Sequence, residues 1–172
     1  MIRAAHILAA CLVLAAAPAA AKVRLVEAGI VCPREVTGDV VPAPGTEAGV
    51  IRQLDRETTF DLDAREVPTI DLLSFGFRTV LDVNGPAQEV TVVVSHPPMG
   101  DRAVTRQEWT DVVEPGATSL NLFTFEEEYE KVPGPWSFAI EIEGTPVVSV
   151  PFTVRPVGAR GPVEDVCFQF MS

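Results

Sequence analysis

Few side chains in this sequence are suited to acid–base or metal chemistry. His96 and Met99 stand three apart in His96-Pro97-Pro98-Met99-Gly100-Asp101, where an imidazole and a thioether would be soft ligands for copper. Two ligands are too few for a tight site, and the next methionine, Met171, is close to the C-terminus. The ordinary reading is a proline-stiffened loop in which His96 caps a polar network and its removal costs little stability. His96, Met99 and Asp101 are therefore kept as candidate binding-loop residues, with no metal assigned. Glu126-Glu127-Glu128-Tyr129-Glu130 offers four carboxylates in five residues. A calcium loop would want Asp and Gly on a turn, and this stretch has neither. It reads as a solvated acidic connector, and Glu126, Glu127, Glu128 and Tyr129 form the second candidate binding loop.

Two further patterns have everyday explanations. Asp61/Asp63 and Glu141/Glu143 share strand faces, a placement from which carboxylates can flank a scissile bond. Alternating acids on a solvent-facing strand also keep a sheet soluble, and this reading is preferred. Trp136 opens a strongly alternating segment and reads as core. Trp109, among Arg106, Glu108 and Asp111, is left open between buried and exposed.

His96 is the only histidine after the first twenty-one residues, and no nucleophile elbow, phosphate loop, dinucleotide fingerprint or His-Glu-x-x-His is present. No catalytic residue and no cofactor are assigned, and a non-enzymatic protein is expected. The net charge is −11, from 24 acids against 13 bases, which argues against unaided binding to nucleic acid or anionic lipid.

Residues 1–21 read as a secretory signal peptide. Arg3 supplies the positive end, Ile7 to Ala17 the apolar core, and Ala19-Ala20-Ala21 the small-residue cleavage pattern. Leu8-Ala9-Ala10-Cys11 matches a lipid-attachment pattern, but the apolar core continues past Cys11 instead of preceding it, so acylation is disfavoured. Cleavage would leave a chain starting at Lys22, directed to the periplasm or beyond, with no transmembrane segment. Two cysteines then remain, Cys32 and Cys167. An even count in an exported chain favours a disulfide, which would tie the two ends of the domain together.

The elements that must position these residues are short alternating strands. Fifteen prolines and twelve glycines in 172 residues punctuate the chain too often for long helices. Val50–Asp55, Thr58–Leu62, Leu72–Val83, Glu89–Ser95 and Ser119–Phe125 read as strands, and Val104–Val113 as strand or helical stripe. The clearest feature is a hairpin. Trp136, Phe138, Ile140 and Ile142 share a face, Glu143-Gly144-Thr145 turns, and Val148, Val150, Phe152 and Val154 return. Pro151 inside the second strand implies an edge or a bulge. About seven such strands predict an all-β, antiparallel, immunoglobulin-like sandwich over residues 50–172, with a small β-barrel as the alternative. Residues 22–49, rich in Pro and Gly, read as an irregular arm pinned by Cys32.

Phe75-Gly76-Phe77-Arg78, His96-Pro97-Pro98-Met99, Pro133-Gly134-Pro135-Trp136-Ser137-Phe138-Ala139-Ile140 and Phe152-Thr153-Val154, in that order, resemble a family of short exported bacterial domains catalogued only as a domain of unknown function. The likeness covers about Pro68 to Val154. It implies a bacterial, periplasmic β-sandwich and brings no activity with it. The expected role is an interaction module for a protein or envelope component; the alternative is a small-ligand, metal or glycan binder.

Overall fold

The computed structural model describes residues 22–35, 37–53, 55, 57–158 and 160–168. The signal-peptide reading of residues 1–21 and the acylation reading of Cys11 fall outside them, as does Met171. Ten strands lie among the described residues: β1 (Val23–Val31), β2 (Asp39–Pro42), β3 (Val50–Gln53), β4 (Glu66–Pro68), β5 (Ser74–Leu81), β6 (Gln88–Met99), β7 (Val104–Val113), β8 (Thr118–Thr124), β9 (Gly134–Ile142) and β10 (Thr145–Arg155). One short helix follows, α1 (Pro162–Cys167). No helix among the described residues is long and apolar enough to cross a membrane.

Eight strands form two facing sheets, β1-β5-β8 and β4-β10-β9-β6-β7, while β2 and β3 make a separate hairpin. All pairings are antiparallel except β4 with β10. The sheets stay distinct instead of curling into one barrel, so the fold is a two-sheet β-sandwich. Its core is aromatic. Phe75 on one sheet sits with its ring centroid 5.3–5.5 Å from those of Phe138, Phe152 and Trp136 on the other, at edge-on angles that suit ring quadrupoles.

The β9–β10 hairpin forms as its alternation predicts. Trp136, Phe138, Ile140, Val150, Phe152 and Val154 are buried. Glu143 and Gly144 take φ of 51° and 73°, the left-handed pair that a two-residue turn between right-twisted strands needs. Pro151 can sit in β10 because β4 pairs only with Thr153–Arg155, leaving Pro151 opposite Ser137 and without a neighbour on its other side. The ambiguous segment over Val104–Val113 is a strand, paired with β6.

Three expectations are corrected. The first is the irregular arm over 22–49: Val23–Val31 is a sheet strand on the edge of β5. A bulge between Leu25 and Glu27 shifts the inward positions from Val23 to Ala28 and Ile30, and so hides the alternation. The second is the loop over His96–Asp101. β6 continues to Met99, with both prolines in a register break between Ser95 and Met99, where no ladder hydrogen bond is asked of them. The third is the strand over Thr58–Leu62, which touches the sheets through a single bridge, Leu62 to Ile30.

Candidate functional site

The sandwich has two long sides, and they are finished differently. Along β1 and β10 the gap is filled. The Ile30 amide donates to the Leu62 carbonyl at 2.9 Å, Arg65 donates to the Ala28 carbonyl at 2.8 Å, and Cys32 and Cys167 are joined in a disulfide. Arg155 on β10 pairs at 2.8 Å with Glu164 of α1, a buried carboxylate whose pKa is lowered chiefly by that guanidinium.

Along β7 and β8 the gap is a groove of about 900 Å³. The β2–β3 hairpin arches over it and is held at both ends. At its tip the Glu108 amide of β7 donates to the Gly45 carbonyl at 3.1 Å; at its far end Arg52 lies 3.6 Å from Glu126. Arg102 of the β6–β7 turn adds an ion pair to Glu47 at 2.8 Å. Val40, Val50 and Val112 are exposed in this groove, and Trp109, Leu120 and Leu122 are half-buried along it. Ser119 donates to Asp111 at 3.3 Å and joins the two sheet edges there.

The residues singled out from sequence are dispersed. His96 and Met99 are buried, not displayed. Nδ1 of His96 lies 2.8 Å from the Pro97 carbonyl, and Nε2 lies 3.0 Å from the side-chain nitrogen of Gln107. Gln107 in turn accepts from the Glu47 amide at 2.8 Å through its own oxygen. These contacts select one tautomer: Nδ1 donates to Pro97 and Nε2 accepts from Gln107. The ring is stacked on Trp136, 4.7 Å between centroids. Both ring nitrogens are thus engaged, and burial lowers the pKa, offset in part by the Pro97 carbonyl and by Glu47. The sequence-based view of a dispensable loop histidine is corrected, because the proline run that looked like a loop is packed against β9. Among the described residues, no three His, Cys, Asp or Glu side chains are grouped to hold a metal.

Asp101 is exposed in the β6–β7 turn. The acidic connector is a single 3-10 turn at Glu128–Glu130, closed by a capping box: the amides of Glu126 and Glu127 donate to the Glu130 carboxylate at 2.7 and 2.8 Å. Burial raises the Glu130 pKa. Glu126 and Glu130 line the groove, whereas Glu128 turns away to Lys131 at 2.5 Å. Tyr129 is 42% exposed, with its pKa raised by burial and by the carboxylates around it. Sequence reasoning missed the hairpin over 39–53, Gln107 and Glu47. Val40-Val41 and Ile51, flanking the Gly45 and Gly49 turn, were the available hint.

The chain is similar to an immunoglobulin-like protein from Pseudomonas aeruginosa, at 20% identity, covering 78% of this chain and 97% of that one with a TM-score of 0.48. No curated protein matches it. A family described as a domain of unknown function (DUF3859) matches residues 19–154, well over half of the sequence and well beyond the motifs between Pro68 and Val154, and the chain belongs to that family.

Proposed function

We propose that this protein is an exported, non-enzymatic binding module that engages a partner in the periplasm through the groove between β7, β8 and the β2–β3 hairpin. The observation that carries the reading is the groove itself. One side of the sandwich is sealed by chain, ion pairs and a disulfide, and the other keeps a cleft at the upper end of the usual range for binding sites. Export is supported by the signal-like residues 1–21 and by the Cys32–Cys167 bond, which belongs in an oxidising compartment. Glu126 and Glu130, which line the groove, are the members of the acidic connector placed to take part; Glu127, Glu128, Tyr129 and Asp101 do not line it.

The test is site-specific photocrosslinking in the exported compartment. A photoreactive residue at Val112 is expected to capture a discrete species that the same residue at Val147, exposed on the β9–β10 hairpin, does not. Equal capture at the two positions, or none at Val112, would remove the groove as the binding surface. Intact mass of the exported form checks the compartment: a chain starting at Lys22 without lipid is expected, and one acylated at Cys11 would overturn the assignment.

A further inference from the structure

We propose that the groove takes an extended, basic segment of a partner polypeptide, added as a strand to the outer edge of β8. This rests on the groove being the binding surface.

The first support is the direction of the β8 backbone. The Phe125 amide donates to Leu73 and its carbonyl accepts from Leu72, both on the β5 side. The Asn121 carbonyl also points that way, since a Cβ placed on Gly76 would lie 2.0 Å from it. In an antiparallel ladder the two sides alternate residue by residue. Thr118, Leu120 and Leu122 therefore aim their amides and carbonyls outward, into the groove, and these groups have no partner among the described residues. The β2–β3 hairpin does not take them. It pairs only within itself and is fastened to β7 and to the acidic connector instead.

An open strand edge is a template for another strand. At about 3.3 Å per residue the stretch from Thr118 to Leu122 offers about 17 Å of it; beyond it the Thr124 carbonyl accepts from the Glu126 amide. Alternate side chains of an added strand would meet the apolar surface of Val40, Val50 and Val112.

Charge chooses among occupants. The groove is lined by Glu108, Asp111, Glu114, Glu126 and Glu130 against Arg52 alone. Glu108 is satisfied by Arg106 and Glu126 by Arg52, but Asp111, Glu114 and Glu130 have no cationic partner among the described residues. Lys or Arg on the incoming strand would be attracted here, whereas an acidic strand would be repelled. A second copy of this chain, at net −11, would bring the same acids to the same edge, so edge-to-edge self-pairing is disfavoured.

The experiment uses the exported protein and three eight-residue peptides: alternating Lys and Val, the same with Glu for Lys, and the Lys peptide with a central Pro. Calorimetry measures affinity and hydrogen exchange locates the contact. The Lys peptide is expected to bind at least tenfold more tightly than either other peptide, to weaken with added salt, and to slow exchange of the Leu120 and Leu122 amides. Leu122→Pro removes one outward donor and no bond to β5, and should weaken binding at least tenfold. Glu114→Lys leaves the backbone intact and should weaken it as well, which keeps the test decisive if the proline variant does not fold. Equal binding of the acidic or proline peptide, protection elsewhere than β8, or no binding by any peptide overturns the proposal. If no peptide binds while crosslinking at Val112 still captures a discrete species, strand addition by a basic segment falls alone; if both fail, the groove reading falls with it.

Discussion

The β1 side and the β8 side of this sandwich begin with the same problem, an edge strand of one sheet, and solve it in opposite ways. On the β1 side the segment over 60–65 is threaded against the edge so closely that Gly29 has no room for a side chain; a Cβ there would lie 2.2 Å from the Leu62 carbonyl oxygen. The disulfide and the Arg155–Glu164 pair then fasten the ends. On the β8 side a two-stranded hairpin stands off from the edge and is tied at a few points, among them Gly45, Glu47 and Arg52. The contrast is structural: one edge is closed by chain and a covalent bond, while the outward backbone groups of Thr118, Leu120 and Leu122 on the other have no partner among the described residues.

That contrast can be broken from either side. The largest loss should come from the shared core. Phe138→Ala removes a ring packed against Phe75, Phe77 and Phe152, and should cost about 3–5 kcal/mol in denaturant unfolding. Reduction of Cys32–Cys167, which closes 135 residues of separation, should cost about 2–5 kcal/mol while far-UV circular dichroism keeps its strand signal. Gly29→Ala forces a methyl into the sealed edge and should cost about 1–3 kcal/mol by the same denaturation measurement. Substitutions on the open side should differ in kind. Val112→Ser, at an exposed groove position, should shift stability by no more than about 0.5 kcal/mol while reducing partner capture.

His96 ties the β2–β3 hairpin to the core, through Gln107 and Trp136, and gives a pH dependence whose sign can be worked out. Burial holds its folded pKa below the ordinary value of 6.5. The folded state therefore prefers the neutral ring, so the contribution is complete above about pH 6.5 and is lost as pH falls through the folded pKa. Protonation puts a hydrogen on Nε2, where Gln107 now donates, and so disturbs the bridge from His96 to the Glu47 amide. The groups set against it are Glu47, which favours the charged ring, and Arg102, which is paired to Glu47. The denaturation midpoint of the native protein should drop more between pH 7.5 and 5.5 than that of His96→Gln. Parallel pH profiles would show that His96 makes no such contribution.

The same comparison explains what could be read from the residues alone. The hairpin from Trp136 to Val154 was legible because its alternation runs unbroken into a turn whose Gly144 takes positive φ readily. The disulfide was legible because reading residues 1–21 as a signal peptide leaves two cysteines, an even count that favours pairing. β1 was not, since its bulge swaps which residues point inward. Nor was the buried state of His96, because Pro97 and Pro98 look like a loop until the register break that absorbs them is seen. The groove was least legible of all. It exists only where residues 40–53 arch over β7 and β8, strands that lie about fifty or more residues further along the chain. Of the candidate site, Glu126 was named from sequence; Val112, Leu120 and Leu122 carry no pattern that separates an open edge from a covered one.

Amide hydrogen exchange on the unliganded native protein tests the central claim most directly. If β8 is a free edge, the Leu120 and Leu122 amides should exchange much faster than those of Asn121 and Phe123, which face β5, and faster than Ile30, whose amide is bonded to Leu62 on the sealed side. Protection of Leu120 and Leu122 equal to that of their β5-facing neighbours and of Ile30 would mean that the β8 edge is already occupied, and would contradict the account.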